Sequence, residues 1–265
     1  MSERYYQPMA EPAEVEEGVY VFASRTMSAN STVIVAGREA FLIDPAWQPD
    51  ELTRIGDWLS SRDLAVTGAW CTHAHHDHVL WHPSFGNASR WATPTATRWA
   101  QRNRHGLLNA LGDDWPADLS SYVGDLQPFD QSEFMWNRHR VNVLEHDGHS
   151  PGHSALWIGG LGLLVAGDML SDIEIPLFED SGITEYAAGL ASLRETVLHA
   201  DILIPGHGTI ARAGTVDSPH RRWEVDHRYV DNLRQGIEPD DPRLANGAEW
   251  LREAHKQNRS STARA

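Results

Sequence analysis

One cysteine, Cys71, stands in the 265 residues, so an intrachain disulfide is impossible and a cysteine-rich metal cage is excluded. Long apolar runs are missing too. Nothing approaches the roughly 18 consecutive apolar residues of a membrane span, and the opening MSERYYQPMAEPAEVEEG has no apolar stretch behind a basic start. These absences predict a cytoplasmic protein without membrane contact. Positive charge is scarce: 22 Lys and Arg against 37 Asp and Glu give a formal net charge of −15. That is the wrong sign for a phosphate-backbone partner, so a small-molecule substrate is expected and nucleic acid is not. No repeat of 20 to 50 residues and no linker divides the chain, which reads as one globular domain over residues 1–265.

What the chain does have is histidine. It carries fifteen, most of them between His73 and His153, and four lie within the six residues from His73 to His78. This stretch, CTHAHHDH, follows the apolar strand pattern of residues 65–71. Earlier strands are expected over residues 18–22, 32–35 and 40–43 as antiparallel neighbours, with a helix over 50–59. A helix opened by Pro94 is expected to residue 111, inside a tryptophan-rich region, residues 79–139, that has room for an insertion or a lid. Strands resume at 140–144, 155–158 and 161–166, the last two joined by Gly159-Gly160 as a two-residue hairpin. Helices are expected over 184–198, 219–233 and 242–255, and a frayed tail over 257–265.

His73 and His75 are two apart, so on a strand end both imidazoles project from one face, whereas Asp77 and His78 need a turn to serve neighbouring positions. One metal ion does not easily take all four. Two ions do, one on the His-x-His pair and one on Asp-His, each completed from elsewhere. His149 in HDGHSPGH, Asp168 closing LLVAGD and His207 in PGHG each follow an apolar strand and sit among glycines, as completing ligands would.

CTHAHHDH, GHSPGH, LVAGD and IPGHG, in this order, resemble the successive motifs of the metallo-β-lactamase-fold superfamily of metallohydrolases, over roughly residues 15–229. The resemblance implies an α+β fold, a four-layer αββα sandwich of two mixed sheets with helices on the outer faces. It implies one metal at His73, His75 and His149, a second at Asp77, His78 and His207, and Asp168 bridging them. Two divalent ions are expected, zinc foremost, with iron or manganese as alternatives. Asp77 is expected to orient the attacking hydroxide as well as bind metal.

The activity so implied is hydrolysis of an ester, thioester or lactone. True β-lactamases usually lack the bridging aspartate or use a cysteine ligand, and neither description fits Asp168 and Cys71. Val79-Leu80 replaces the glycine pair of glyoxalase-II-like proteins, and Ser171 stands where quorum-quenching lactonases often have tyrosine, so neither substrate is singled out. Two rivals stand beside the hydrolase: a mononuclear iron sulfur dioxygenase on His73, His149 and Asp168, and a non-catalytic binding protein. His82, His146 and His153 are candidate outer partners of the ligands, Asp44 a candidate brace for the histidine loop, and His76 a surface residue. Trp81, Tyr122 and Phe129 are the aromatics expected to line a substrate pocket.

Overall fold

The computed structural model describes residues 11–178, 180–245 and 248–262. The first half of the chain builds a seven-stranded sheet in sequence order: β1 (Ala13–Glu16), β2 (Val19–Ala23), β3 (Asn30–Ala36), β4 (Glu39–Ile43), β5 (Ala65–Trp70), β6 (Arg90–Ala92) and β7 (Gln127–Pro128). Pairings from β1 to β4 are antiparallel, and those from β4 to β7 are parallel. The second sheet contains β8 (Glu133–Trp136), β9 (His139–Glu145), β10 (Ser154–Ile158), β11 (Leu163–Gly167), β12 (Ile202–Pro205) and β13 (Ala211–Arg212), in sequence order across the sheet. It is antiparallel except for the parallel pair β11 and β12.

Alternation along the strands decides the layering, because successive side chains leave a strand on opposite faces. On β4, Phe41 and Ile43 join Val21, Ile34 and Trp70 against Val141, Leu156, Val165 and Ile204 of the other sheet, forming the core between the sheets. Ala40 and Leu42 face outward and pack under α1 (Pro49–Ser60) and α2 (Pro94–Leu111). Leu164 and Ala166 of β11 likewise pack under α3 (Ile183–His199), α4 (Pro219–Arg234) and α6 (Glu249–Thr262), while α5 (Pro242–Ala245) is a single turn. Each sheet thus buries both faces, one against the other sheet and one under helices, which is the expected αββα sandwich.

Four local expectations are corrected. Gly159-Gly160 is not a two-residue hairpin: a 3-10 turn over Gly159–Leu161 and Gly162 at φ +57° connect β10 to β11. Residues 79–139 are not an appended insertion, since β6, β7 and β8 carry both sheets through that region and α2 covers the first sheet. The helix over 242–255 is two pieces, Pro242–Ala245 and Glu249–Thr262. The tail is helical to Thr262, because Asn258 is buried and donates to the Pro176 carbonyl and the Tyr229 hydroxyl; residues 263–265 lie outside the described residues.

Candidate metal centre

Strand β5 ends at Trp70, and the next residues are held before the histidines begin. The Thr72 backbone N–H and hydroxyl both donate to Asp44, at 2.8 and 2.6 Å, and the Cys71 thiol donates to the His73 carbonyl. Cys71 itself is buried, and burial pushes its thiol well up, as befits a packing residue. The His78 N–H then bonds the His75 carbonyl at 3.1 Å, a turn that swings Asp77 and His78 beside His73. From the second sheet come His149 after β9, Asp168 after β11 and His207 after β12, with Gly167 of β11 in register with Pro205 of β12.

All seven meet at one edge of the sandwich. Asp168 Oδ2 lies 3.4 Å from His73 Nε2, 3.6 Å from His149 Nε2 and 3.4 Å from His207 Nε2, and its Oδ1 lies 3.1 Å from His78 Nε2. Asp77 Oδ2 is 3.1 Å from His207 Nε2 and 3.5 Å from His78 Nε2. His75 Nδ1 is 3.0 Å from His149 Nε2. Two groupings follow, His73 with His75, His149 and Asp168, and Asp77 with His78 and His207, each with its ligand atoms within 4.8 Å of one another.

The outward nitrogens of the five histidines each lie within 3.1 Å of an oxygen, though His78 Nδ1 does so without a well-aligned hydrogen bond. His149 Nδ1 lies 2.8 Å from the Leu177 carbonyl, and His207 Nδ1 lies 3.0 Å from the Met27 carbonyl. A carbonyl only accepts, so both rings donate from Nδ1 and turn Nε2 inward, a bare lone pair in neutral His149. His73 Nδ1 is 3.1 Å from the Thr72 hydroxyl, whose own proton goes to Asp44; His78 Nδ1 is 3.1 Å from Asp44 Oδ2. His75 is reversed, with Nε2 2.8 Å from Asp180 Oδ2 and Nδ1 inward. Each imidazole therefore turns one ring nitrogen inward, toward the carboxylates or a partner histidine, and His73 Nε2 and Asp168 Oδ1 are sealed from solvent without a hydrogen bond. This donor set fits divalent metal ions.

The electrostatics agree. Burial holds His73 well below the usual imidazole range and His149 down at about 4, so both are neutral at pH 7. Burial acts in the same direction on His78 and His207, but Asp168 foremost, with Asp77, outweighs it and raises both well above that range. Burial would raise Asp77 and Asp168; His78 and His207 override it and hold both carboxyls well down. Metal binding here would displace the protons of His78 and His207.

Around this set the other candidates separate. His153 Nε2 accepts from the Asp168 N–H at 3.1 Å, and its ring stacks on those of His73 and His146. His82 instead contacts Ser84 and Phe85. His76 is partly exposed and packs edge-on against Trp47, which also contacts the His207 ring. The aromatics expected to line a pocket lie elsewhere: Trp81 is buried with Nε1 on the Gly86 carbonyl, Phe129 packs on Trp70, Trp91 and Phe134, and Tyr122 lies with Trp81 and Arg90 by a separate cleft. Two acids were missed. Asp180 braces His75, and Glu174 has a carboxylate oxygen within 4.8 Å of ligand atoms of Asp168 and His207. Burial, with Asp168 and Asp77 adding to it against His207, raises Glu174 to about 7. Each is an acid in a loop, with no strand-plus-glycine pattern to mark it.

The comparisons with known proteins agree with this architecture. The family model of the metallo-beta-lactamase superfamily matches residues 25–207, and the chain belongs to that superfamily. It is 21% identical over 201 residues to metallo-beta-lactamase IND-1 of Chryseobacterium indologenes, covering 74% of this chain and 79% of the relative. Among solved structures, a metallo-beta-lactamase from Pontibacter korlensis is similar with a TM-score of 0.65 at 14% identity, over 84% of this chain and 99% of that one. A beta-lactamase domain protein from Burkholderia ambifaria gives 0.64 at 17% identity, over 87% and 79%. Family and clustered ligands together define a metal-dependent hydrolase.

Proposed function

We propose that the protein is a dinuclear hydrolase that cleaves an ester, thioester or lactone carbonyl of a small molecule. The first ion is held by His73, His75 and His149, the second by Asp77, His78 and His207, with Asp168 shared and zinc the leading candidate. The observation that carries this reading is the common orientation of five histidines, each with one nitrogen turned to an outer oxygen and the other turned inward on Asp168 or a partner histidine. When bound, such a pair of ions supplies an ionised water at neutral pH and polarises the carbonyl. Asp77 has Oδ2 toward His78 and His207 and Oδ1 3.6 Å from His76 Nδ1, so Oδ1 can hold the attacking water and take its proton. Asp44 and Thr72 keep His73 and His78 aimed, and Asp180 does the same for His75.

The relatives' names raise β-lactam hydrolysis as another reading, but at 14–21% identity they speak for the fold. The test combines metal analysis with an ester, thioester, lactone and β-lactam panel. Two divalent ions per chain and turnover of at least one of the first three classes are expected. His75→Ala and Asp168→Ala should retain native circular dichroism and lose turnover by on the order of a hundredfold or more. One iron per chain with oxygen consumption, or persistent turnover in both variants, contradicts the proposal.

A further inference from the structure

Glu174 is a buried acid with no assigned task. It is 8% exposed, and its carboxylate makes no hydrogen bond or ion pair among the described residues, although one oxygen lies within 4.8 Å of ligand atoms of Asp168 and His207. An unpaired buried carboxylate is costly unless a cation meets it. Its position is nevertheless firmly held. The Glu174 N–H donates to Ser171 Oγ at 3.1 Å, and that hydroxyl donates to the His207 carbonyl at 2.8 Å. The Glu174 carbonyl accepts from Arg243 at 2.6 Å, and Arg243 is pinned by Asp226 and Asp241, both at 2.7 Å. One hydroxyl thus couples the loop of Glu174 to that of His207, and a buried arginine fixes it from behind.

The neighbouring acids point the same way. Asp44, Asp77 and Glu174 are 2%, 4% and 8% exposed, and the Asp168 side chain 7%. These buried carboxylates make the edge attractive to cations.

Resting on the dinuclear reading above, we infer that Glu174 is a further ligand of the second metal position. That position then offers three carboxylates, Asp77, Asp168 and Glu174, against two imidazoles, His78 and His207. The first offers three imidazoles and one carboxylate. Nitrogen-rich sets of four suit zinc, whereas oxygen-rich sets of higher ligand number suit harder ions such as Mn²⁺. The two positions are therefore chemically unequal, and Glu174 makes the second one hospitable to manganese.

The experiment uses the full chain, stripped by chelator and loaded with one equivalent of Zn²⁺, then titrated with Mn²⁺ while free Mn²⁺ is followed by electron paramagnetic resonance. Wild type should take up one Mn²⁺ per chain. Glu174→Gln, which keeps shape and removes charge, should weaken that Mn²⁺ by roughly tenfold or more and leave the retained Zn²⁺ unchanged. Glu174→Asp, which shortens the reach, should weaken it in the same direction and serves if the Gln variant does not fold. Mn²⁺ affinity within twofold of wild type in either folded variant overturns the Glu174 assignment alone. Wild type that binds no metal, or a single ion, overturns the dinuclear reading and this assignment with it.

Discussion

Asp44 has a backbone φ of +49°, in the left-handed region that Asp and Asn tolerate better than most residues. From there it accepts both Thr72 bonds and lies 3.1 Å from His78 Nδ1, so one carboxylate aims a histidine of each proposed metal position. Asp44→Asn keeps the backbone conformation and the size while removing the charge. The expected result is a folded protein whose metal affinity falls about 10- to 100-fold, read as metal content after dialysis against a graded chelator; unchanged retention would reduce Asp44 to a turn residue. At this scale the sequence was informative wherever a polar residue followed an apolar strand and a glycine. His149, Asp168 and His207 were legible that way, and the four residues of CTHAHHDH by density alone. Glu174 and Asp180 were not, because an acid in a loop has no signature until the fold brings it to the histidines. Trp81 and Phe129 misled for the opposite reason: a large ring near a site in sequence is as well explained by the core, which is where both pack.

Among the elements, the parallel pair β11 and β12 does most to shape the centre. Gly206 N–H donates to the Gly167 carbonyl at 2.6 Å, and Asn30 of β3 reaches across from the other sheet, its N–H bonding the Gly206 carbonyl at 2.7 Å and its amide the carbonyls of Pro205 and Gly208. These bonds tie the His207 loop to the first sheet. Gly206 leaves no spare room, since a Cβ there would sit 1.9 Å from Asp168 Oδ1. Gly206→Ala must therefore move the shared carboxylate. We expect loss of at least one metal per chain and a destabilisation of about 1–3 kcal/mol, the usual scale of overpacking, measured by metal analysis and denaturant unfolding. Full metal content would show that Asp168 yields without consequence. Strand positions were legible as short apolar runs bounded by turn residues, as strands buried on both faces are, and the main helices from spacing and Pro94. The membership of β6, β7 and β8 was not legible: β6 and β7 have three and two residues, too few for a period, and only their neighbours define them.

For the whole molecule, the gathering of histidines at one edge makes stability depend on pH in a predictable direction. Among the described residues no helix is long and apolar enough to cross a membrane. His146 is the cleanest probe, because it lies behind the inward-facing set: its Nδ1 accepts from the Gly148 N–H at 3.1 Å, and its Nε2 is sealed without a partner. Burial lowers it to about 4, from about 6.5 in an unfolded chain. Between these values the unfolded chain binds the proton and the folded chain does not, so its contribution is fully present above about 6.5 and is lost as pH falls toward about 4. His149, also at about 4, adds in the same direction. His78 and His207 act oppositely in metal-free protein, since their raised values favour the folded state at low pH and lose that effect as pH rises through the folded value. Metal-free protein carrying His146→Gln should therefore show a shallower loss of stability between pH 6.5 and 4 than the unsubstituted chain, by up to roughly 3 kcal/mol, in urea unfolding at several pH values. An identical slope in both proteins would mean that His146 takes up its proton in the folded state as readily as in the unfolded one.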